Sequence, residues 1–564
     1  MSKQLIECVP NFSEGRNESV IDAIAMAVKS VEGVSLLDVD PGKATNRTVF
    51  TFVGAPEAVV EAAVQAAKVG SELIDMRAHK GEHPRFGALD VCPLVPISCI
   101  SMEEVVTWSL KLAKRLGEEV GLSVYLYENA AQADYRRNLA DVRVGEYEGL
   151  ADKMLQSDWT PDFGPAEFQA RSGATACGAR DILVAYNINL NTTSTRRANA
   201  IAFDVRERGR VLRSGDPLTG EVVRDTTGEP VYIPGALHSV KAIGWFIEEY
   251  GLAQVSMNLT NIRETPVHIA FDETCEKALA RGIRVTGSEL IGLIPLSCLL
   301  DAGRYFLKKQ QRSCGVSDQE LIKIAVKSMG LDELSPFDPD KKIIEYAILD
   351  KTAKRLVDMS VKAFVEETAS ESAAPGGGSI AAAMGAMGAA LATMVANLSS
   401  HKRGWDQRWE EFSDWAEKGK TFHSRLLLLI DEDTLAFNAL MDAFGLPKSS
   451  EEEKAARSRA IQAATKRAID VPLEVMQVSV DSMTVIKAMA EIGNPNSVSD
   501  AGVGALAVRS AVLGAQLNVK INCGSLKDTS YVSEALARAG RLAEQAQETE
   551  QEILAIVESK LNSA

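Results

Sequence analysis

Hydrophobic and polar positions in the first 130 residues switch between two periods. Residues 5–9, 34–39, 47–53 and 88–95 carry short apolar runs that predict strands. Between them, Val20, Ile21, Ile24 and Val28 fall at helical spacing within 17–31, and 56–74 is a long Ala- and Val-rich helix. The order is β-α-β-β-α-β, that of a ferredoxin-like plait. A helix over 102–119 and a strand over 123–127 follow. The pattern then restarts. Strand 182–190, helix 194–208, strands 240–246 and 253–259, helix 267–281 and a strand near Ile283 predict a second plait, repeated in architecture but not in sequence. A polar stretch rich in Gly, Asp and Thr, 213–234, interrupts it and reads as a surface hairpin or mobile flap.

Beyond about residue 350 the strand signals fade. Helical periods run over 357–365, 405–444, 451–492, 502–519 and 532–561, broken at Pro375-Gly-Gly-Gly, Gly445-Leu-Pro447 and Gly493-Asn-Pro495. The expected fold class is α/β, as two ferredoxin-like α/β-plait subdomains, followed by an all-α helical bundle of roughly 200 residues. The expected division is 1–181 and 182–348 for the plaits, 349–356 for a linker and 357–564 for the bundle. An α/β half joined to an all-α half suggests two fused activities. One stretch, 379–398, has no charged residue and must be weighed as a membrane span. Its apolar content is mostly Ala, Gly and Met, weak on insertion scales. Small residues at Ala381, Gly385, Gly388 and Ala392 instead suit close helix–helix contact. The expectation is a buried core helix and no membrane.

Composition narrows the class. At roughly 150 residues per domain, 564 residues imply three or four structural units. With 46% hydrophobic and 24% charged residues, the chain is neither disordered nor fibrous. Its net charge of −16 argues against nucleic acid as a partner, and an anionic ligand would need a local basic pocket. Eight scattered cysteines without a CxxC pair read as reduced thiols and a cytoplasmic setting. Glu7 interrupts the N-terminus before an apolar run builds up, so no signal peptide is expected.

Four segments carry candidate chemistry. In Arg77-Ala-His79-Lys80-Gly81-Glu82-His83-Pro84-Arg85-Phe86-Gly87, two histidines, a carboxylate and three cations crowd one loop. His79-Lys-Gly-Glu-His83 formally matches the H-x-x-E-H zinc string, but Gly81 and Pro84 oppose the continuous helix that zinc ligation needs. No metal is expected. A loop histidine beside Arg and Lys suits proton transfer near an anion, and an ordinary polar surface loop is the plain alternative. In Asp162-Phe-Gly-Pro-Ala-Glu-Phe168-Gln-Ala-Arg171-Ser-Gly173-Ala-Thr-Ala-Cys-Gly178-Ala-Arg180, glycines and arginines around Phe168 can wrap a flat ring with an acidic tail. A linker between the plaits is equally compatible. Ala374-Pro-Gly376-Gly377-Gly378-Ser379 opens a helix whose free amides attract anions, although it lacks the Lys of a P-loop; a flexible hinge with a Ser cap explains it as well. Asp433 falls on a stripe with Ile430, Phe437, Met441 and Phe444, while Asp431 points elsewhere. A core-facing carboxylate tends to a raised pKa and suits acid–base work, or it is a hydrogen-bonded core Asp.

Together these strings resemble the bifunctional formimidoyltransferase–cyclodeaminases (glutamate formimidoyltransferase joined to formimidoyltetrahydrofolate cyclodeaminase) of histidine breakdown. The resemblance covers nearly the whole chain: Cys8-Val-Pro-Asn-Phe-Ser-Glu-Gly15, Leu36-Leu-Asp-Val-Asp40, Thr45-Asn-Arg-Thr48, His79 to Arg85, Gly87-Ala-Leu-Asp90, 164–180, Ala373 to Ser379, and Asp433 with Ala436-Phe437. It implies transfer of a formimino group from N-formimino-L-glutamate to tetrahydrofolate, then ring closure to 5,10-methenyl-tetrahydrofolate with release of ammonia. His83 would be the transferase acid–base group, with Asp40 an orienting carboxylate. Gly164-Pro165-Ala166-Glu167-Phe168-Gln169-Ala170-Arg171-Ser172-Gly173 matches the family's folate-binding loop. Asp433 matches the carboxylate that protonates the leaving amine, and Gly376, Gly377 and Gly378 would line the same pocket. The resemblance further implies tetrahydrofolate, in polyglutamate form, as co-substrate, no metal, and a homo-oligomeric ring octamer. The 213–234 insert is longer than the family leads one to expect. Three alternatives stay open: another formimino donor, a helical half acting as methenyl-tetrahydrofolate cyclohydrolase, and a folate-binding assembly protein with little catalysis.

Overall fold

A computed structural model describes residues 4–42, 45–81, 85–217, 219–348 and 355–563. The chain forms two compact units, Met1–Leu299 with Met329–Leu349, and Leu300–Ser328 with Asp350–Ala564. The linker expected at 349–356 lies mostly outside the described residues.

In the first unit, β1 (Leu5–Cys8) is continued by β2 (Asn11–Phe12), and both pair antiparallel with β4 (Arg47–Gly54) and β5 (Leu89–Ser98). β3 (Val34–Gly42) lies outside β4. The resulting order β3-β4-β1/β2-β5 is that of a ferredoxin-like plait. Ile6, Cys8, Phe50 and Phe52 point to one face and are sealed by helices Glu18–Lys29 and Pro56–Leu73, because alternate residues of a strand share a face.

Two more strands widen this sheet: β6 (Ser123–Glu128) and β7 (Ala174–Ala179), parallel to each other, with β7 between β5 and β6. β7 corrects the reading of 162–180 as loop or linker throughout. Its sequence, Ala-Thr-Ala-Cys-Gly-Ala, has little strand propensity, but every one of its residues is buried. A Cβ on Gly178 would lie 2.8 Å from the ring of Tyr127, so only a small side chain fits.

The second plait comprises β8 (Val184–Leu190), a hairpin of β9 (Arg210–Val211) and β10 (Tyr232–Ile233), then β11 (Val240–Ile247), β12 (Leu252–Leu259) and β13 (Val285–Ile291). Its sheet runs β11-β12-β8-β13, the same topological order as the first plait. The hairpin holds the 213–234 segment, which folds back through bridges Arg213↔Val222 and Arg224↔Pro230. Two helices that periodicity left unassigned follow, Leu296–Lys309 and Asp318–Met329.

The second unit is helical. Helices Gly377–Ser400, Trp409–Gly445, Glu451–Ile492, Val498–Cys523 and Thr529–Leu561 enclose one core of Ala, Val, Leu, Ile and Met. Gly377–Ser400 is long and apolar enough to cross a membrane, as is Pro495–Cys523, yet the first contributes its Ala and Gly face to this core. The contact is close: a Cβ on Gly388 would lie 2.7 Å from Val508 Cγ2 and 2.8 Å from the Gly504 carbonyl. Small residues thus set the helix separation.

Gly388→Leu should therefore overpack this contact at a cost of about 1–3 kcal/mol. Calorimetry should show the melting of the helical unit falling by roughly 2–4 °C per kcal/mol, and an unchanged transition would refute the close-packing account.

Candidate active sites

His83, with Glu82 and Pro84, lies outside the described residues, but both stems of its loop are described. The upstream stem hangs on Asn46, which adopts φ 50°, a region Asn tolerates better than most side chains. Asn46 Oδ1 accepts the Gly15 N–H at 3.0 Å, and its Nδ2 donates to the Lys80 carbonyl at 3.0 Å. Its carbonyl receives His79 Nε2 at 2.8 Å, so that nitrogen carries the proton. A Cβ on Gly81 would strike the Thr45 carbonyl. Three strings distant in sequence therefore meet at one asparagine, through Gly15, Asn46 itself, and His79 with Lys80. Residues 74–81 are turn and coil, not the helix of a zinc-protease string. The downstream stem is held by Arg85, which pairs with Glu148 and stacks over Tyr147, and by the Phe86 N–H donating to Asp90 Oδ1 at 3.0 Å.

The loop over 164–173 closes against the same stem. Gly173, at φ 65°, bridges to Gly87, and the Ala88 N–H donates to the Ser172 carbonyl at 2.7 Å. At the other end Ser123 Oγ donates to the Pro165 carbonyl at 2.7 Å, and Gly164 sits at φ 82° where a Cβ would overlap the Leu122 carbonyl. Both ends are tied down, while Gly164, Ala166, Glu167, Ala170 and Arg171 stay exposed. Phe168 rests 5.7 Å from the Tyr147 ring, and the Tyr147 hydroxyl donates to the Ala170 carbonyl. The structure thus brings the loop and the stems of the His83 segment together.

Beside them lies a cleft of about 440 Å³ between the two plaits of this unit, lined by Asn11, Arg47, Val91, Arg143, Arg180 and Lys241 among others. Its carboxylates include Glu128 and Asp181. Asp40 is exposed on the outer strand β3, in the cross-strand row Asp40↔Val49↔Asn11↔Val91. The buried carboxylate bonded to the loop stem is another one, Asp90, which is only 1% exposed. It takes the Phe86 N–H on one oxygen and faces the guanidinium groups of Arg47 and Arg143 with the other. Sequence reading missed this trio because Arg47 and Arg143 lie 43 and 53 residues from Asp90, and only the pairing of an isolated Asp with isolated arginines would have pointed to it. Glu7, on β1, is lifted to about 7 by burial, with nearby Arg180 pulling it back.

In the second unit, Asp433 meets the N-terminus of the Gly377–Ser400 helix. Its carboxylate lies against the Cα of Gly378, where a Cβ would overlap it. Ser379 Oγ donates to Asp433 Oδ2 at 3.0 Å, and the Ser379 backbone N–H also reaches the carboxylate. Burial pushes this carboxyl above its ordinary range, and the two Ser379 bonds pull it partly back. Gly376 and Gly377 form the open rim, with Asn518 about 3.5 Å from the Cβ position of Gly377. Asp431 does face elsewhere, accepting the Leu356 N–H at 2.7 Å. One expectation fails: Phe437, Met441 and Phe444 are 37%, 43% and 46% exposed, not core. The neighbouring helix begins at Gly377, opposite Asp433, so the last three turns of Trp409–Gly445 extend past it and their apolar side chains are left uncovered. An apolar groove of about 410 Å³ runs the other way from the site, lined by Phe364, Ile380, Met384, Met387, Leu427 and Ile430.

Because the Asp433 pKa is raised by folding, ionisation costs stability, and the cost grows as pH rises from the ordinary Asp value through the raised one. Asp433→Asn, which keeps an oxygen acceptor for Ser379, should melt at or above wild type at pH 8, with the gain vanishing below about pH 4. A variant melting lower at pH 8 would contradict the raised pKa. Ser379→Ala removes one stabilising donor, so carbon-13 NMR should show Asp433 titrating at still higher pH; an unmoved titration would mean the Ser379 hydroxyl does not reach it in solution.

Comparison with known proteins agrees with this two-unit arrangement. Residues 5–180 match the formiminotransferase domain, N-terminal subdomain, residues 185–349 the formiminotransferase domain, and residues 360–541 the family described as formiminotransferase-cyclodeaminase. The formimidoyltransferase-cyclodeaminase of Rattus norvegicus is 42% identical over 558 residues, 99% of each chain. The glutamate formimidoyltransferase of Streptococcus pyogenes serotype M1 is 41% identical over 305 residues, 54% of this chain and 94% of its own. The methenyltetrahydrofolate cyclohydrolase of Methylorubrum extorquens is 38% identical over 203 residues, 36% of this chain and 98% of its own. With relatives aligned end to end and each unit matched by its own domain family, the chain belongs to the formimidoyltransferase–cyclodeaminase family.

Proposed function

We propose that the chain performs two consecutive folate reactions in the breakdown of histidine. Its first unit is a glutamate formimidoyltransferase and its second a formimidoyltetrahydrofolate cyclodeaminase, as the full-length relatives of both activities indicate. In the first reaction, N5 of tetrahydrofolate attacks the amidine carbon of N-formimino-L-glutamate. His83 takes the N5 proton and returns it to the departing glutamate nitrogen, a task suited to a group titrating near neutrality. The loop from Gly164 to Gly173, tied to both stems of the His83 segment, holds the folate, with the Phe168 and Tyr147 rings at its base. Asp40 acts as an orienting carboxylate from the outer strand β3, in register with Val49 and Asn11.

In the second reaction, N10 attacks the formimino carbon carried on N5 of 5-formimino-tetrahydrofolate, and ammonia leaves as that carbon comes to bridge N5 and N10 in 5,10-methenyl-tetrahydrofolate. The observation that carries this reading is Asp433: a carboxyl pushed upward by burial, held by Ser379, and facing a glycine rim at a helix N-terminus. Its protonated form delivers the proton that the leaving amine needs. The rim of Gly376, Gly377 and Gly378 lets substrate approach the backbone, and the apolar groove beside it suits the ring system. Polyglutamylated tetrahydrofolate as the preferred co-substrate, a cytoplasmic location and a ring octamer complete the proposal. Eight cysteines without a disulfide are in keeping with a reducing compartment.

The similarity of the helical unit to a protein named methenyltetrahydrofolate cyclohydrolase favours one second reading, hydrolysis of the methenyl bridge without ammonia. A coupled assay with N-formimino-glutamate and tetrahydrofolate separates the two, following methenyl-folate absorbance and free ammonia. Wild type should form both, His83→Asn neither, and Asp433→Asn should accumulate 5-formimino-tetrahydrofolate. Ammonia-free turnover of added methenyl-folate would support the cyclohydrolase reading instead.

A further inference from the structure

We propose that the side-chain oxygen of Asn518 accepts an N–H of the amine that leaves in the cyclodeaminase reaction, and so turns the nitrogen lone pair towards Asp433. The inference rests on the cyclodeaminase reading above and adds a second catalytic residue to its site.

Helix packing brings Asn518 to the glycine rim. A Cβ on Gly388 would lie 2.7 Å from Val508, one on Gly514 would lie 3.4 Å from Ala381 Cβ, and one on Gly377 would lie 3.5 Å from Asn518 Nδ2 and 3.6 Å from its Oδ1. Partner positions fall from 388 to 377 as they rise from 508 to 518, so the helices Gly377–Ser400 and Val498–Cys523 run antiparallel. The first two contacts are apolar, and the last, at the rim, presents an amide. A second tie fixes the register. Pro472 stands inside the Glu451–Ile492 helix and has no N–H for the Ala468 carbonyl four residues earlier. Asn522 Nδ2 donates to that carbonyl at 2.7 Å. Asn518 lies one turn before Asn522 on the same helix face, so a bond between helices sets its place beside Gly377.

Half of the Asn518 amide is already used. Its Nδ2 donates to the Gly514 carbonyl at 3.0 Å, which fixes which end of the amide is the oxygen. Among the described residues no donor reaches Oδ1, and that atom is not closed off from solvent. Asp433 comes to the adjoining glycine from another helix, its carboxylate against Gly378, so acid and acceptor flank one rim. After N10 has added, the formimino carbon carries an amino group with two N–H bonds and one lone pair. The proton of Asp433 must land on that lone pair as the C–N bond to the amine breaks and the N5 lone pair closes the methenyl double bond. An acceptor that takes one N–H aims the lone pair at the acid, and its hydrogen bond strengthens as the nitrogen becomes a cation. A neutral amide does this without setting a second negative charge beside Asp433.

Steady-state kinetics on the full-length chain test this, with 5-formimino-tetrahydrofolate as substrate and ammonia as the readout, on Asn518→Leu, Asn518→Ala and Asn518→Asp. Leu and Ala both favour the helix more than Asn does, and Ala adds no bulk, so a variant that melts as wild type is at hand. Asn518→Leu and Asn518→Ala should lower kcat roughly tenfold to a hundredfold, as losing one hydrogen bond to a developing cation implies, with KM within about threefold. Asn518→Asp keeps an oxygen acceptor and should recover at least about threefold of that loss. The product 5,10-methenyl-tetrahydrofolate has no amine, so its inhibition constant should stay within about twofold in Asn518→Leu and Asn518→Ala. An unchanged kcat in a folded Leu or Ala variant, or no recovery in Asn518→Asp, would overturn the assignment. So would a loss carried by KM together with the methenyl-folate inhibition constant, which would mean that the amide holds the pterin ring. If wild type releases no ammonia from 5-formimino-tetrahydrofolate, the cyclodeaminase reading falls and takes the assignment with it.

Discussion

The site of the α/β unit is organised around one buried negative charge. Asp90 is out of reach of water, and an isolated carboxylate there would be prohibitive. It is tolerated because four segments converge on it: β5, which carries it, the stem at Phe86, Arg47 on β4 and Arg143 after the Leu139–Val142 helix. Taking away one partner of such a group strands the others, at a cost of about 3–5 kcal/mol. The charge therefore acts as a register mark. It fixes where the stem of the His83 loop leaves the sheet, and hence where Gly87 meets Gly173 and the 164–173 loop closes.

The second unit treats a carboxylate in the opposite way. Asp433 is partly buried, and among the described residues the Ser379 hydroxyl and backbone N–H satisfy it and no cation is bonded to it. Its charge is under-compensated, so its proton is held more tightly than usual. One carboxylate is matched by cations and becomes scaffold; the other is left short and becomes chemistry. Both arrangements need glycine. A side chain on Gly81 would strike the backbone at Thr45, and one on Gly378 would occupy the space of the Asp433 carboxylate itself.

The helical unit shares its sequence with proteins of two different names, a cyclodeaminase and a cyclohydrolase. The fold alone does not choose between the reactions those two names describe. The polar groups beside the glycine rim include Asp433 and Ser379. The small-residue packing of Gly377–Ser400 against its neighbours gives those groups a rigid base, since the helix that presents Gly378 and Ser379 is wedged against Val498–Cys523 within van der Waals distance.

Much of the fold could be read from the chain alone. Hydrophobic period is a local property, and it identified both plaits and the five long helices of the bundle, while polar composition marked the 213–234 insert. The glycine-rich loop, the glycine run before Ser379 and the amphipathic placement of Asp433 were visible for the same reason. Where residues are chosen by what lies across from them, local pattern failed. β7 is a strand of small residues, Ala, Thr, Cys and Gly, all of them buried, so it has no alternation to detect. Phe437, Met441 and Phe444 form a helical stripe that the bundle leaves bare, since stripe and cover are set by different helices. The trio of Arg47, Asp90 and Arg143 exists only through β-sheet pairing and a distant turn, and the tertiary structure alone decided it, because a buried charge is satisfied by neighbours in space whatever their separation along the chain.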